Sequence, residues 1–363
     1  MVTEILPWFN EDQKNFVVLE NTPSPDYQWF YDPTWSYTTQ QITAYEENIF
    51  DHMYNNIQKG VIFNQMWHDY SITSQPQDGK DRIINESNIA MYNAIKTKFK
   101  NSNIYCPEPE DLRYKLCIMA QSNISWTVNG DEINLRLDLS NVGLDSAFLF
   151  TGGMGIRVNN SHKKINQVFI DGYEHFAFND NVVILPNFTN ATADVKVILD
   201  DNAPSVPHLL YVSKRMHEIK KNDDDLLITV LTASKAKFSF YAQGGYLLLN
   251  ADGFEWNSRG DSQLEGYVTS NRIVNLKKLT TNQFSFLKST VEITNVSENK
   301  NSIVLKIKSS QSNNPNQINC STGREIESIL FDSINLKAQV EGEKYLITIE
   351  KFEGEKELTI NLK

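Results

Sequence analysis

The period of the apolar residues changes near Gln121, and this change constrains the fold more than any other feature of the sequence. Before Gln121 apolar side chains recur at the third and fourth positions, as on the faces of amphipathic helices. After it they alternate with polar side chains, as in half-buried β-strands. We therefore expect an α+β multidomain chain, in which an α/β segment precedes antiparallel β-sandwiches.

In the N-terminal third, short apolar runs alternate with helical patterns. The runs lie at residues 16–19, 61–66 and 103–106, and the helical patterns at 39–59, 86–100 and 107–121. Consecutive β-α units imply parallel strands, because each helix must carry the chain back before the next strand begins. We predict a partial parallel β/α barrel of three such units over residues 1–121, with Leu112, Leu116 and Met119 of its last helix facing inward.

After Gln121 the alternating runs are separated by turn residues such as Asn129-Gly130-Asp131. These runs lie at residues 133–139, 194–199, 226–231, 237–241, 291–293, 303–307, 345–349 and 358–360. They predict a β-sandwich over residues 122–275 and a C-terminal immunoglobulin-like β-sandwich over residues 276–363.

The charge balance bears on the kind of partner. A net charge of -11 and a pI near 5.1 exclude a protein built to bind nucleic acid, which needs a concentrated positive surface. No run approaches the roughly 18 apolar residues of a membrane span, and residues 1–6 lack the basic-then-apolar pattern of a signal peptide, so this stretch does not predict export. The three cysteines have no zinc-site spacing. An uncharged ligand, such as a polysaccharide or oligosaccharide, suits this composition better.

Two clusters in the N-terminal third carry the residues best suited to chemistry. In parallel β/α barrels catalytic groups sit at strand ends, and a His-Asp pair follows the apolar run at 61–66. A histidine there can act as a general acid, with a carboxylate fixing its tautomer. Aromatic rings beside a carboxylate suit a sugar, although each ring alone is as easily a core residue. We predict His68, Asp32, Asp69 and Glu20 as catalytic residues, and Trp29, Tyr31, Trp35, Trp67 and Tyr70 as substrate-binding residues.

Residues 10–121 resemble the C-terminal half of the NodB-homology polysaccharide deacetylases. Asp32 with Trp35 is similar to a late motif of that family, and the run at 61–66 leading to His68 is similar to its last catalytic motif. The resemblance implies hydrolysis of acetyl groups on a glycan, with a metal-bound water attacking and His68 protonating the leaving group. It also implies an extracellular or cell-surface protein.

The metal ligands of that family have no counterpart here, because its early Asp-Asp motif and its paired histidines are missing from the sequence. We assign no metal ligand, and we expect a divalent metal such as zinc only if a missing N-terminal half is present. The unfinished barrel would then be completed by that missing N-terminal segment or by self-association.

Two alternatives remain open. Glu20 and Asp32 could form the carboxylate pair of a glycoside hydrolase. The chain could instead be a non-catalytic glycan-binding surface protein whose β-modules bind the ligand. Other candidates are weaker: Gly152–Gly155 does not open a helix, Trp256 suits either a glycan or an interface, and four histidines (His162, His175, His208 and His217) are expected in loops or at edges.

Overall fold

A computed structural model describes Trp8–Phe9, Val17–Val18, Ala44 and residues 109–144, 146–159, 162–243, 245–256, 262–280, 284–309 and 315–363. The chain divides into two compact units, Met1–Ile104 and Tyr105–Lys363.

In the first unit the described strands form an antiparallel pair. Strand β1 (Trp8–Phe9) pairs with β2 (Val17–Val18), so that Trp8 lies opposite Val18. Strand β2 falls within the first run assigned to the partial parallel β/α barrel, but its partner is the nearby antiparallel strand β1. The barrel prediction is wrong: all named strand pairs of the described residues are antiparallel. Periodicity identified the strand but could not identify its partner, and an antiparallel partner needs no crossover helix.

The second unit begins with helix α1 (Pro109–Gln121), which the sequence predicted. Proline at its start and Glu110 and Asp111 in its first turn suit the free N–H groups and the dipole of a helix N-terminus. Leu116 is buried as expected, but Met119 is 70% exposed. Cys117 and Ile118 are buried instead. The inward face of a helix is set by the elements that pack against it, and the apolar period alone does not identify them.

The first sheet has five antiparallel strands in the order β3-β4-β9-β6-β7. A separate two-stranded pair, β5 with β8, lies within the same stretch of chain. The strands are β3 (Asn123–Asn129), β4 (Glu132–Asp138), β5 (Gly155–Arg157), β6 (Lys164–Ile170), β7 (Tyr173–His175), β8 (Val182–Ile184) and β9 (Thr192–Asp200). A 3-10 turn, Ala147–Phe150, connects β4 to β5.

Three further sheets complete the unit, with eight, four and five strands. The eight-stranded sheet contains β10 (His208–Val212), β13 (Ala236–Tyr241), β15 (Gly253–Trp256), β16 (Gln263–Val268), β18 (Ser285–Ser289), β21 (Asn316–Ser321), β24 (Ala338–Glu341) and β25 (Lys344–Ile349). The four-stranded sheet contains β11 (Arg215–Asn222), β12 (Asp225–Leu231), β14 (Tyr246–Leu249) and β17 (Arg272–Lys278). The last sheet contains β19 (Glu292–Asn299), β20 (Ser302–Lys308), β22 (Ile326–Phe331), β23 (Ile334–Leu336) and β26 (Glu355–Leu362).

The core lies between these sheets. Phe238 and Phe240 of β13 share one hydrophobic cluster with Ile228 of β12 and Leu305 of β20, and all four are fully buried. A Cβ at Gly266 of β16 would lie 2.7 Å from Leu248 on β14, so the facing sheets approach closely. The part of the chain after Gln121 is therefore β-sandwich-like, as predicted. Strand β15 lies before residue 275 and pairs with β18, which lies after it. The eight-stranded sheet therefore contains strands from both of the predicted sandwiches.

A short junction joins the first sheet to the eight-stranded sheet. Ala177 forms an isolated parallel bridge with Leu209, and the ring of His208 stacks on Phe178 with centroids 4.4 Å apart. His208 and Phe178 are both buried, so this junction is part of the core of the unit.

Candidate functional site

The site predicted from the sequence lies outside the described residues. This holds for the catalytic candidates His68, Asp32, Asp69 and Glu20, and for the substrate-binding candidates Trp29, Tyr31, Trp35, Trp67 and Tyr70. Their proposed roles stay predictions.

Within the second unit, a groove of about 640 Å³ lies on one face of the first sheet. We call this face the polar face and define it by eight residues of four neighbouring strands: Ser125, Thr127, Glu132, Asn134, Arg136, Phe169, Asp194 and Lys196. Strand pairing places them together, with Arg136 opposite both Ser125 and Asp194, and Asn134 opposite both Thr127 and Lys196. Partners in an antiparallel pair point to the same side of the sheet.

Alternation makes most of this face polar. Along β9, Asp194, Lys196 and Ile198 point to the groove, while Val195 and Val197, which alternate with them, are buried on the opposite face. Leu135 of β4 lies opposite Val195 and so belongs to that apolar face. The β4–β9 pairing has no register shift, so Asn134 and Arg136 of β4 and Asp194, Lys196 and Ile198 of β9 all line the groove.

Two ion pairs cross the polar face. Arg136 Nη1 lies 3.0 Å from Asp194 Oδ1, and Lys196 Nζ lies 2.6 Å from Glu132 Oε2. The hydrogen bond from Lys196, and then that from Asn134 Nδ2 at 2.9 Å, lowers the pKa of Glu132. All four charged side chains keep at least 38% of their surface exposed. The groove is therefore open to solvent and balanced in charge.

One aromatic ring belongs to the polar face. Phe169 of β6 lies opposite Lys196 in the β6–β9 ladder and is half-buried. The adjoining turn is held rigid, because the backbone N–H of Asp194 donates to Asp171 Oδ1 at 2.8 Å and that of Asp171 donates to the carbonyl oxygen of Asp194. Phe169 thus offers a fixed apolar surface among hydrogen-bonding groups.

A smaller cavity of about 240 Å³ lies beside the start of helix α1, bordered by Asp111 and Arg215. Behind it, Lys115 is buried, donates to the carbonyl oxygens of Phe150 at 2.7 Å and Gly152 at 2.6 Å, and pairs with Asp111 at 3.2 Å. Burial lowers the pKa of Lys115 to about 8. These bonds tie the helix to the turn after Phe150, so Lys115 has a structural role.

The weaker sequence candidates also have structural roles. Gly152 is packed so closely that a Cβ would meet the carbonyl oxygen of Met216, which explains this glycine without a phosphate. His175 and His208 lie on the edge strands β7 and β10, as expected, but both are buried, whereas His162 and His217 are exposed. Trp256 is half-buried against the hydrophobic core.

Among the residues that the structure describes, no three His, Cys, Asp or Glu side chains gather as a metal site. No helix in the described ranges is long and apolar enough to cross a membrane.

Comparisons with known proteins add little to this geometry. No protein-family model matches the chain, and no curated protein sequence matches it. Among solved structures, a marsupial T cell receptor matches with 10% sequence identity and a TM-score of 0.12, over 67% of this chain and 92% of that one. A TM-score this low lies far below that of a shared fold, so the match says nothing about function.

Proposed function

We propose that this chain is a non-catalytic glycan-binding protein, and that the groove on the polar face of the first sheet binds a neutral oligosaccharide. The observation that carries the proposal is the charge-balanced set of exposed ion pairs around the half-buried ring of Phe169.

The chemistry of this face suits a sugar. A sugar ring presents hydroxyl groups that both donate and accept hydrogen bonds, together with an apolar face of C–H groups. Arg136, Asn134 and Lys196 can donate, while Asp194 and Glu132 can accept. The ring of Phe169 can pack against the C–H groups, as aromatic side chains do in ligand sites with few polar anchors.

Charge balance separates this ligand from anionic ones. A phosphate or nucleic-acid site concentrates Arg and Lys without acidic partners. Here Arg136 and Lys196 are each paired with a carboxylate, and the whole chain carries a net charge of -11. A neutral polyol can replace water on such pairs without leaving a charge unpaired. An extracellular or cell-surface location would match such a ligand.

Binding and turnover can be separated in one set of experiments on the full chain. Isothermal titration with neutral oligosaccharides, including acetylated chitooligosaccharides, should give saturable binding. Acetate release and new reducing ends, measured on the same ligands, should both be absent. Acetate release would instead indicate the predicted deacetylase activity, and new reducing ends would indicate the glycoside hydrolase activity. A lack of binding across the panel would contradict the proposal.

The role of Phe169 has a matched control. Phe169→Leu keeps an apolar side chain but removes the ring, and should weaken binding by about 2- to 10-fold, the size expected for one aromatic packing contact. Phe352 is also half-buried but lies in the C-terminal part of the chain, so Phe352→Leu should leave the affinity unchanged. Equal affinities for the two variants would show that Phe169 does not contribute to ligand binding.

A further inference from the structure

Strand β3 is an edge strand with the features of an interaction surface. Among the strands that the structure describes, it ends the first sheet and pairs only with β4, and all seven of its residues are exposed. Trp126 is 64% exposed and Val128 61%. Soluble proteins protect long edges with charged residues or proline, and β3 contains neither.

The turn after β3 shows which backbone groups are free to pair. The closing pair of the hairpin is Asn129 and Glu132, joined by Gly130 with φ +59° and Asp131, as in a type II′ turn. The carbonyl oxygen of Asn129 then accepts the turn hydrogen bond and faces β4. Because these directions alternate along a strand, the N–H and C=O groups of Ile124, Trp126 and Val128 face outward.

The sequence of β3 is nearly the same in both directions around Trp126. Counting outward, Ser125 corresponds to Thr127, Ile124 to Val128, and Asn123 to Asn129. In an antiparallel pair of two copies, each residue would meet one of the same character, as an isologous two-fold interface requires. The outward-facing groups of Ile124, Trp126 and Val128 would supply about six hydrogen bonds across it.

We propose that β3 is the docking surface for a second copy of this chain, whose own β3 pairs antiparallel with it about a two-fold axis at Trp126. The two five-stranded sheets become one continuous ten-stranded sheet. Ile124, Trp126 and Val128 of both copies form an apolar strip on one side of it. Ser125 and Thr127 of both copies lie on the polar side, which brings the two grooves next to each other. The pairing stands whether or not the grooves bind glycans.

Sedimentation equilibrium of the full chain tests the interface first. At tens of micromolar the mass should be twice the 41.6 kDa of one chain. Trp126→Lys should shift it to the single-chain mass with an unchanged far-UV circular dichroism spectrum. Tyr173, 80% exposed on the opposite edge strand, gives the control, because Tyr173→Lys should leave the dimer intact. A single-chain mass for the unaltered protein, or a dimer of Trp126→Lys, would overturn the proposal.

The register has its own test, which also covers the case in which Trp126→Lys fails to fold. The proposed pairing places Ile124 of one copy opposite Val128 of the other. Ile124→Glu with Val128→Lys should therefore remain a dimer that added salt weakens, whereas Ile124→Lys with Val128→Lys should dissociate. Dissociation of both double variants, or of neither, would contradict this pairing.

Discussion

Gly152 lies directly against the backbone of Met216: a Cβ added at residue 152 would stand 1.9 Å from the carbonyl oxygen of Met216 and 2.5 Å from Asn187 Oδ1. The backbone N–H of Gly152 donates to that same Asn187 oxygen at 3.0 Å, and its carbonyl oxygen accepts from Lys115. Strand β11, helix α1 and the turn after Phe150 therefore meet at a residue without a side chain.

Gly152→Ala should destabilise the protein by about 3 kcal/mol or more, because the clash is with backbone and the neighbours are fixed by hydrogen bonds. The free energy of unfolding from urea titration is the measurement. Gly323 provides the control, since nothing lies within 4 Å of its added Cβ, and Gly323→Ala should change stability little. A decrease of less than 1 kcal/mol in the free energy of unfolding for Gly152→Ala would contradict the close contact between Gly152 and Met216.

Because of Lys115, we expect the free energy of unfolding to rise at alkaline pH. Burial lowers its pKa from 10.5 to about 8. Below pH 8 the charge is present in both states and its burial costs stability. Between pH 8 and 10.5 the unfolded chain binds the proton that the folded chain has lost, so stability rises with pH, by on the order of 3 kcal/mol.

Replacing this lysine isolates its contribution from those of other titrating groups. Unfolding of the unaltered protein and of Lys115→Met would be compared by urea titration from about pH 6 to 10. The difference in free energy of unfolding between them should be constant below about pH 7 and change between pH 8 and 10. Parallel pH profiles would mean that Lys115 titrates normally.

Because of His175, we expect the free energy of unfolding to fall in acid. Burial lowers its pKa from 6.5 to about 4, and its Nε2 hydrogen-bonds the carbonyl oxygen of Ile184 at 2.7 Å. The folded state keeps the ring neutral, whereas the unfolded chain takes up a proton as the pH falls below 6.5. Stability contributed by the neutral ring is therefore present above pH 6.5 and lost towards pH 4, by on the order of 3 kcal/mol.

His175→Gln keeps a hydrogen-bond donor for Ile184 but removes the titration. Its free energy of unfolding should fall less than that of the unaltered protein between pH 6.5 and 4.5. His208, whose pKa burial also lowers, remains in both proteins and does not affect the comparison. An equally steep acid loss in His175→Gln would assign the effect to other groups.

The sequence predicted the strands of the β-region well, because alternation needs only local information. The alternating runs at 133–139, 194–199 and 303–307 correspond to β4, β9 and β20, and Gly130 has the positive φ expected of a turn. It also predicted helix α1 from proline and acidic residues at its start. The strand partner of β2 was predicted wrongly, because β2 pairs with the nearby antiparallel strand β1 and its apolar period contains no information about its partner.

The candidate groove was missed for the same reason. Glu132, Asn134 and Arg136 already alternate with apolar residues in the sequence, as do Asp194 and Lys196. Each set alone resembles an ordinary solvated strand face. Only the pairing of β4 with β9, more than fifty residues away, brings the two sets into opposed ion pairs.

Glycan binding at the polar face is tested most directly by removing one ion pair without changing the net charge. Arg136→Gln with Asp194→Asn should weaken oligosaccharide binding about 10- to 100-fold, as expected for lost charge-assisted hydrogen bonds. Lys356 and Asp332 form a similarly exposed pair at 2.6 Å on the last sheet, and Lys356→Gln with Asp332→Asn should bind like the unaltered protein. Equal affinities for the two double variants in isothermal titration would contradict a glycan site in this groove.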